Sequence, residues 1–430
     1  MNRVVKNAGW IIGCKVVKAV LTLIVTMITA RCLGVANFGL INYAAGIVAF
    51  VAPIMKLGLD AVAVHEIVNH PDKEGETLGT IVILSLLSGV LCIVGILGFT
   101  SIANSQEPLT IAVCVVYGLV LIFQAMEMIQ YWFQAKLLSQ YSAVAMLISY
   151  MTVSIVQINL LIKEVDIRLF ALSYCVDYLI IVLLLLLFYK RHGVQKLSFS
   201  LARSKEMLSI SKFYIISGLM ITVFNNTDRI MLKLMIDDTA TGLYAAAHTC
   251  AGMTSFVFVA IIDSMRGVIF ESKKNNGENY KKNIVSLYSV IIYFSLIQCV
   301  LVTILSPWII GIIYGEDFLG SIAVLRIAIW FSTFSYLGTV RDVWILSEGY
   351  QDYLWKINLS GAVMNVCLNF IFIPIWGPNG AAVASVISQF FTNVITGFII
   401  KKMRPNNLLM LMGLNPRSLE RVFNVVLKRK

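Results

Sequence analysis

Residues 225–266 read NNTDRIMLKLMIDDTATGLYAAAHTCAGMTSFVFVAIIDSMR. Two apolar runs flank a short break at DDTATGLY. The first run carries Asp228, Arg229 and Lys233, and the second ends on Asp263 and Arg266. A charged side chain at the centre of a lipid-spanning helix costs about 2.5–3.5 kcal/mol on insertion scales, so such residues are rarely idle. Five of them around one break point to a polar path through a membrane.

Composition sets the same frame for the whole chain. Hydrophobic residues make up 59% of the 430, charged residues 13%, and the mean hydropathy is +0.84. A soluble chain of this length lacks the polar residues to cover its surface at that balance. A span needs about 20 apolar residues. Stretches of that kind fall near 8–30, 38–60, 78–100, 109–131, 141–162 and 168–189. A second set falls near 209–236, 241–266, 284–305, 321–346, 355–375 and 379–400. The expected fold class is therefore an all-α integral membrane protein of twelve transmembrane helices. They form two six-helix bundles with pseudo-twofold symmetry along the membrane normal.

The net charge of +11 invites a nucleic-acid reading, which the placement of the cations rejects. With the N-terminus inside, 23 of the 34 Lys and Arg lie in cytoplasmic segments, 3 in outer loops and 8 within spans. That bias is the positive-inside signature, and it puts both termini in the cytoplasm. The eight Cys lie in or beside apolar runs without a Cys-x-x-Cys pair, so they read as small buried thiols rather than a disulfide framework or metal site. No metal or other cofactor is expected. The first apolar run is too long for a cleavable signal and carries Lys15 and Lys18.

The domain organisation follows from the linker KRHGVQKLSFSLARSKEMLSISK, the longest and most basic internal loop. It divides an N-terminal bundle (1–190) from a C-terminal one (209–400), with a basic cytoplasmic linker at 191–208. A basic amphipathic tail occupies 401–430, where Leu419, Val422, Phe423 and Val426 follow helical spacing among Arg and Lys. A faint repeat supports the division. Gly39, Leu40 and Asp60 recur as Gly242, Leu243 and Asp263 at an offset of 203. Parallel repeats about an axis along the membrane normal are a familiar transporter plan.

Several charges deserve individual readings. Lys15 and Lys18 are three apart on one helix face, about 10 and 15 Å into the bilayer at 1.5 Å per residue. They face either a water-filled cavity or a buried acid. Lys56 and Asp60, four apart, form either an internal ion pair or part of a cavity mouth. Glu127 and Asp177 are either proton or sodium sites or the counter-ions of Lys15 and Lys18. Asp60, Asp228 and Asp263 join them as coupling candidates. Trp330 and Trp344 lie inside a span with Arg326 and Arg341, where flat rings stack on sugar faces or fill the core. By depth, Lys56 and Arg266 lie near the inner mouth, Lys15 and Lys18 at mid-depth, and Arg229 and Lys233 toward the outside. Excess positive charge suits an anionic cargo. Two unit charges 4 Å apart attract by about 4 kcal/mol at an effective dielectric near 20.

The stretch NNTDRIMLKLMIDDTATGLYAAAH resembles the start of the second half of Wzx-type O-antigen and polysaccharide flippases. ARCLGVANFGLINYA and LNFIFIPIWGPNGAAVAS resemble that family's first outer turn and its eleventh-to-twelfth span junction. The family belongs to the multidrug/oligosaccharidyl-lipid/polysaccharide (MOP) exporter superfamily. The resemblance implies a non-enzymatic flippase of the bacterial cytoplasmic membrane, rocking between inward- and outward-open forms. It implies undecaprenyl-diphosphate-linked oligosaccharide as cargo, membrane lipids as surroundings, and H+ or Na+ as a coupling ion. A polysaccharide polymerase and a chain-length regulator are the implied partners. Related lipid II flippases keep basic residues in the first, second and eighth spans, where Lys15, Lys18, Lys56 and Arg266 stand here. Lys replaces Arg in the first two, and Lys lacks the planar fork that grips phosphate bidentately.

The diphosphate is thus expected among Lys15, Lys18, Lys56, Arg229, Lys233 and Arg266, with glycan near Arg326, Trp330, Arg341 and Trp344. The nearest rival, a multidrug exporter of the same superfamily, calls for acidic rather than basic residues along the path. A glycan polymerase or ligase calls for a large outer loop with catalytic groups, and the longest outer loop here has only about fifteen residues.

Overall fold

In lipid each backbone amide and carbonyl must find its partner within the chain, which leaves a chain this apolar little choice but helix. The computed structural model describes residues 2–193, 195–274 and 279–418, except for the side chains of 2–16, 19, 20, 213 and 217. Among the described residues every regular element is helical, with no strand. By length and apolar composition eight stretches could cross a membrane, or ten if two bent helix pairs count as one span each.

Two of the eight, Leu21–Asn69 and Gln351–Ile399, run for 49 residues. Unbroken, each would span about 74 Å, more than twice a hydrocarbon core. Each is instead interrupted at a glycine. Gly34 takes φ +73° and Gly377 φ +53°, in the two turns expected from the sequence. That region of φ is open to glycine at no cost and strained for other residues. The count of twelve requires both to fold back there.

The chain forms two compact units, Met1–Leu234 and Met235–Lys430. The first holds α1 (Asn2–Lys56), α2 (Leu59–Asn69), α3 (Glu74–Ala103), α4 (Pro108–Gly118), α5 (Val120–Glu127), α6 (Gln130–Ala135), α7 (Ser139–Ile162), α8 (Ile167–His192) and α9 (Leu201–Met235). The second holds α10 (Asp238–Gly252), α11 (Ser255–Lys274), α12 (Asn279–Ile313), α13 (Ser321–Ser347), α14 (Leu354–Phe390), α15 (Thr396–Ile399) and α16 (Arg404–Gly413).

Helix α9, which the basic linker assigns to the second half by sequence, groups with the first unit. The cause is close backbone approach along its length. A Cβ at Gly58 would stand 2.6 Å from the Ser211 carbonyl oxygen, one at Gly218 would stand 3.0 Å from Pro53, and Gly46 faces Ile230. An ion pair fixes each end. Arg203 meets Glu66 at 3.4 Å and Lys233 meets Glu107 at 2.6 Å.

Within the linker, residues 195–200 cross the start of α3. The Gly75 amide donates to Gln195 Oε1 (2.9 Å), Ser198 donates to the Gly75 carbonyl, and the Ser200 amide donates to Thr80 Oγ1 (3.1 Å). Gly75 and Gly79, one turn apart, leave the room this crossing needs. In the expected C-terminal tail, α16 buries Asn406, Asn407, Leu409 and Met410. The amphipathic stretch from Leu419 onward lies outside the described residues.

Apolar side chains of the first unit gather in two clusters. One contains Tyr43, Met55, Leu121, Ala125, Phe170 and Ala171; the other contains Leu59, Met128, Ile129, Ala145, Ile181 and Leu185. On α5 and α8 the two clusters leave a gap in sequence, at 126–127 and 172–180, and the charges fall into it. The outward faces carry exposed Leu87, Leu91, Val94 and Ile102 on α3 alone. Such surface is a liability in water and ordinary in lipid.

Candidate functional site

The polar layer of the first unit begins at a backbone break. Helix α1 ends on Lys56, and Leu57 (φ +52°) and Gly58 (φ +65°) turn the chain before α2 starts. A cation in the last turn of one helix and Asp60 in the first turn of the next both complement their helix dipoles. The two side chains meet at 3.6 Å, each about one-third exposed. The ion-pair reading of Lys56 and Asp60 therefore holds, and their partial exposure leaves Lys56 able to make further contacts.

Lys18 is half-buried, with its ammonium 5.4 Å from the centre of the Tyr150 ring. Both Lys56 and Lys18 act electrostatically on Glu127, and Lys18 also acts on Asp177. Asp177 accepts a 2.6 Å hydrogen bond from Ser149 Oγ. Glu127 has no hydrogen bond or ion pair among the described residues, though two ammonium groups lie within electrostatic reach. Tyrosines surround these acids. Tyr131 feels Asp60 and Glu127, Tyr178 feels Glu127 and Asp177 and is hydrogen-bonded to Gln124, and Tyr150 is hydrogen-bonded to Thr22. The side chain of Lys15 lies outside the described residues.

The remaining cations of this unit stand elsewhere. Lys233 is buried and bonded to Glu107, which also accepts from Thr110 Oγ1 at 2.7 Å. Hydrogen bonding from Lys233 is the main cause holding the Glu107 carboxyl below its ordinary range. Glu107 and Glu127 are about twenty residues apart along α4 and α5, hence about 30 Å. Lys233 thus sits at the opposite end of the span from the Lys56 layer, and one diphosphate cannot touch both. Arg229 packs against Gly46 and acts on Tyr117, and Asp228 is buried beside it in sequence.

The second unit treats its charges differently. Arg266 pairs with Asp263 of its own helix at 3.0 Å. The Arg326 Nε donates to Ser306 Oγ at 3.0 Å. Arg341 is buried and fully engaged. Its Nη1 donates to the Thr392 carbonyl and Asn393 Oδ1, both at 2.8 Å, and its Nε and Nη2 donate to Asp342 Oδ1. Residues Phe391–Ile395 form a π-helical turn, which releases backbone carbonyls from the normal ladder. Arg341 satisfies one of them, so its role here is structural. Trp344 is a core residue touching Tyr350, in keeping with the core-filling alternative of the two open for it. Trp330 is 36% exposed.

Sequence reasoning missed the tyrosines and Gln124. The signal was present: Gln124, Glu127 and Tyr131 recur at helical spacing, as do Tyr174 and Tyr178, each with an acid on or near the same face. No group of His, Cys, Asp and Glu among the described residues could hold a metal ion. Among the described residues Cys92, Cys114, Cys175, Cys250 and Cys299 are buried thiols, whereas Cys32 and Cys367 are exposed.

Against known proteins, residues 4–265 match the family described as "Polysaccharide biosynthesis protein". The chain belongs to that family. A search of curated proteins finds no match. Among solved structures, a lipid II flippase MurJ in an inward closed conformation is similar at a TM-score of 0.72 and 14% identity, covering 97% of this chain and 92% of that one. An inward-facing multidrug resistance MATE transporter of the MOP superfamily gives 0.67 at 13% identity, covering 92% and 95%. A Vibrio cholerae MATE transporter gives 0.61 at 11% identity, covering 96% and 100%. The fold is that of the MATE transporters and of the lipid II flippase MurJ.

Proposed function

We propose that this polysaccharide biosynthesis family member flips undecaprenyl-diphosphate-linked oligosaccharide from the cytoplasmic to the outer leaflet of the bacterial inner membrane. Its termini are cytoplasmic and it works by alternating access. One observation carries the reading: Lys18 and Lys56, from two segments of α1, converge electrostatically on a polar layer between two apolar clusters. Lys15, three residues before Lys18, would share its face. A diphosphate brings about two negative charges, which these ammonium groups would compensate away from bulk water. Glu127 is the resident anion a cargo must displace or neutralise. Proton uptake on Glu127 or Asp177 is the coupling step that follows from this arrangement. Polymerase and chain-length regulator would then act on the flipped product.

The layer also contains three acids, Asp60, Glu127 and Asp177, and that favours the drug-exporter reading as a second possibility. The two readings part in one experiment. In a deletion strain complemented with Lys18→Glu, surface polysaccharide falls at least tenfold while the membrane content of the protein is unchanged. Full export by that variant would remove the diphosphate role. Loss of drug resistance in the deletion strain, with polysaccharide intact, would install the rival.

A further inference from the structure

A second cationic feature lies in the other unit, where the connections on either side of α14 and α15 come together. The turn Gln351–Tyr353 precedes α14, and the turn Lys401–Met403 precedes α16. Lys356 Nζ lies 5.4 Å from the centre of the Tyr353 ring and 5.6 Å from that of Trp355. From the other turn, Lys402 Nζ lies 5.6 Å from the same Tyr353 ring and 5.5 Å from Tyr350. One phenol ring therefore holds two ammonium groups, no more than about 11 Å apart.

Neither cation has a carboxylate within ion-pair distance among the described residues. The acids nearby in sequence are otherwise engaged or turned out. Glu348 is taken by Lys273 at 2.6 Å and by the Tyr280 hydroxyl at 2.8 Å, and Asp342 is taken by Arg341. Asp352 is exposed on the same turn and pairs with neither lysine. Both lysines are exposed, and two ammonium groups gathered at one ring make a local positive field that attracts an anionic headgroup. Below the lysines α14 continues with Trp355, Leu359 and Val363, four residues apart, and then Phe370. All are exposed and all are on or near one helix face. A cationic, aromatic cap over an apolar lane fits a molecule with an anionic head and an acyl tail.

We infer that Lys356 and Lys402, arrayed on Tyr353, bind the phosphate of a resident anionic phospholipid whose acyl chain lies along α14. The phosphate is drawn to the field of the two ammonium groups, and the indole of Trp355 sits at the level of the headgroup, where amphipathic rings are favoured. The lipid is a tightly held neighbour of the second unit rather than cargo. This inference rests on the chain lying in a membrane and not on the identity of what it transports.

The test uses the full-length protein in detergent, titrated with phosphatidylglycerol or with phosphatidylcholine of the same chains, with retained lipid counted by native mass spectrometry. Wild type should retain phosphatidylglycerol at least tenfold better than phosphatidylcholine. The double variant Lys356→Gln, Lys402→Gln should lose that preference, while Lys356→Arg, Lys402→Arg should keep it. Glutamine variants melting at the wild-type temperature in neutral-lipid nanodiscs, yet blind to phosphatidylglycerol, would support the site against misfolding. Unchanged preference in the glutamine variant would overturn it. So would one-for-one displacement of phosphatidylglycerol by undecaprenyl diphosphate, which would make the site the cargo's. Equal protection by glycerol phosphate alone would also count against a lipid.

Discussion

The Lys56–Glu127 layer of the first unit and the Arg341 site of the second hold their polar groups in opposite ways. In the first, formal charges face one another across a layer with few hydrogen bonds; Glu127 has none among the described residues, and Lys18 leans on a tyrosine ring. In the second, the interior is built of amides and hydroxyls around a single guanidinium. Arg341 holds Thr392 and Asn393, Asn393 reaches Gln389, and Asn407 donates to the Val394 carbonyl at 2.7 Å. A guanidinium with all its donor nitrogens engaged fixes one geometry. Charges with few fixed partners can change partners, and a transport site must do that. The contrast teaches that intramembrane charge alone does not mark a site; its state of engagement does.

Four substitutions test that contrast. Arg341→Met should do the most damage, because it removes the donor shared by the Thr392 carbonyl and Asn393 and the partner of half-exposed Asp342; about 1.5–3 kcal/mol is typical for each buried hydrogen bond to a charged group. The measurement is thermal melting in detergent, and a melting temperature within a degree of wild type would erase the distinction between units. Gly58→Ala should cost about 1–3 kcal/mol, since φ is +65° and the added carbon meets the Ser211 carbonyl. It loosens α9 from the first unit, and faster proteolysis within 201–215 would report that.

Glu107→Gln should be milder and pH-dependent. The folded carboxyl titrates below its ordinary value of 4.5, chiefly because Lys233 is hydrogen-bonded to it. Its contribution is therefore complete above that value and is lost as pH falls through the lowered one. Melting curves of wild type and variant should differ at pH 7 and converge only in strong acid. Glu127→Gln should shift stability least, within about 0.5 kcal/mol, because no hydrogen bond is broken. Its effect belongs to transport, read as the pH dependence of polysaccharide export, which the variant should flatten. A large drop in melting temperature here would show that Glu127 is a structural counter-ion after all.

Much of the fold was legible in the chain. Apolar length gave the all-helical class, and the glycines at 34 and 377 sit in turns that RCLGVANFG and WGPNG announce. The site was legible only in part. Depth along a helix can be counted from sequence, so Lys56 and Lys18 were placed in reach of acids. Which face meets which neighbour cannot be counted. Lys233 is taken by a glutamate 126 positions earlier, and Arg341 by a carbonyl within a π-helical turn. The grouping of α9 was hidden for the same reason, since it depends on three small-residue contacts with α1 and the turn after it.

The stretch 195–200 across Gly75 and Gly79 has a practical corollary for anyone handling this molecule. A join between halves looks like the natural place for an epitope, a fluorescent fusion or a protease site. Here that strap is seated on the start of α3 by three hydrogen bonds, with no slack to give. Inserts there should cripple assembly.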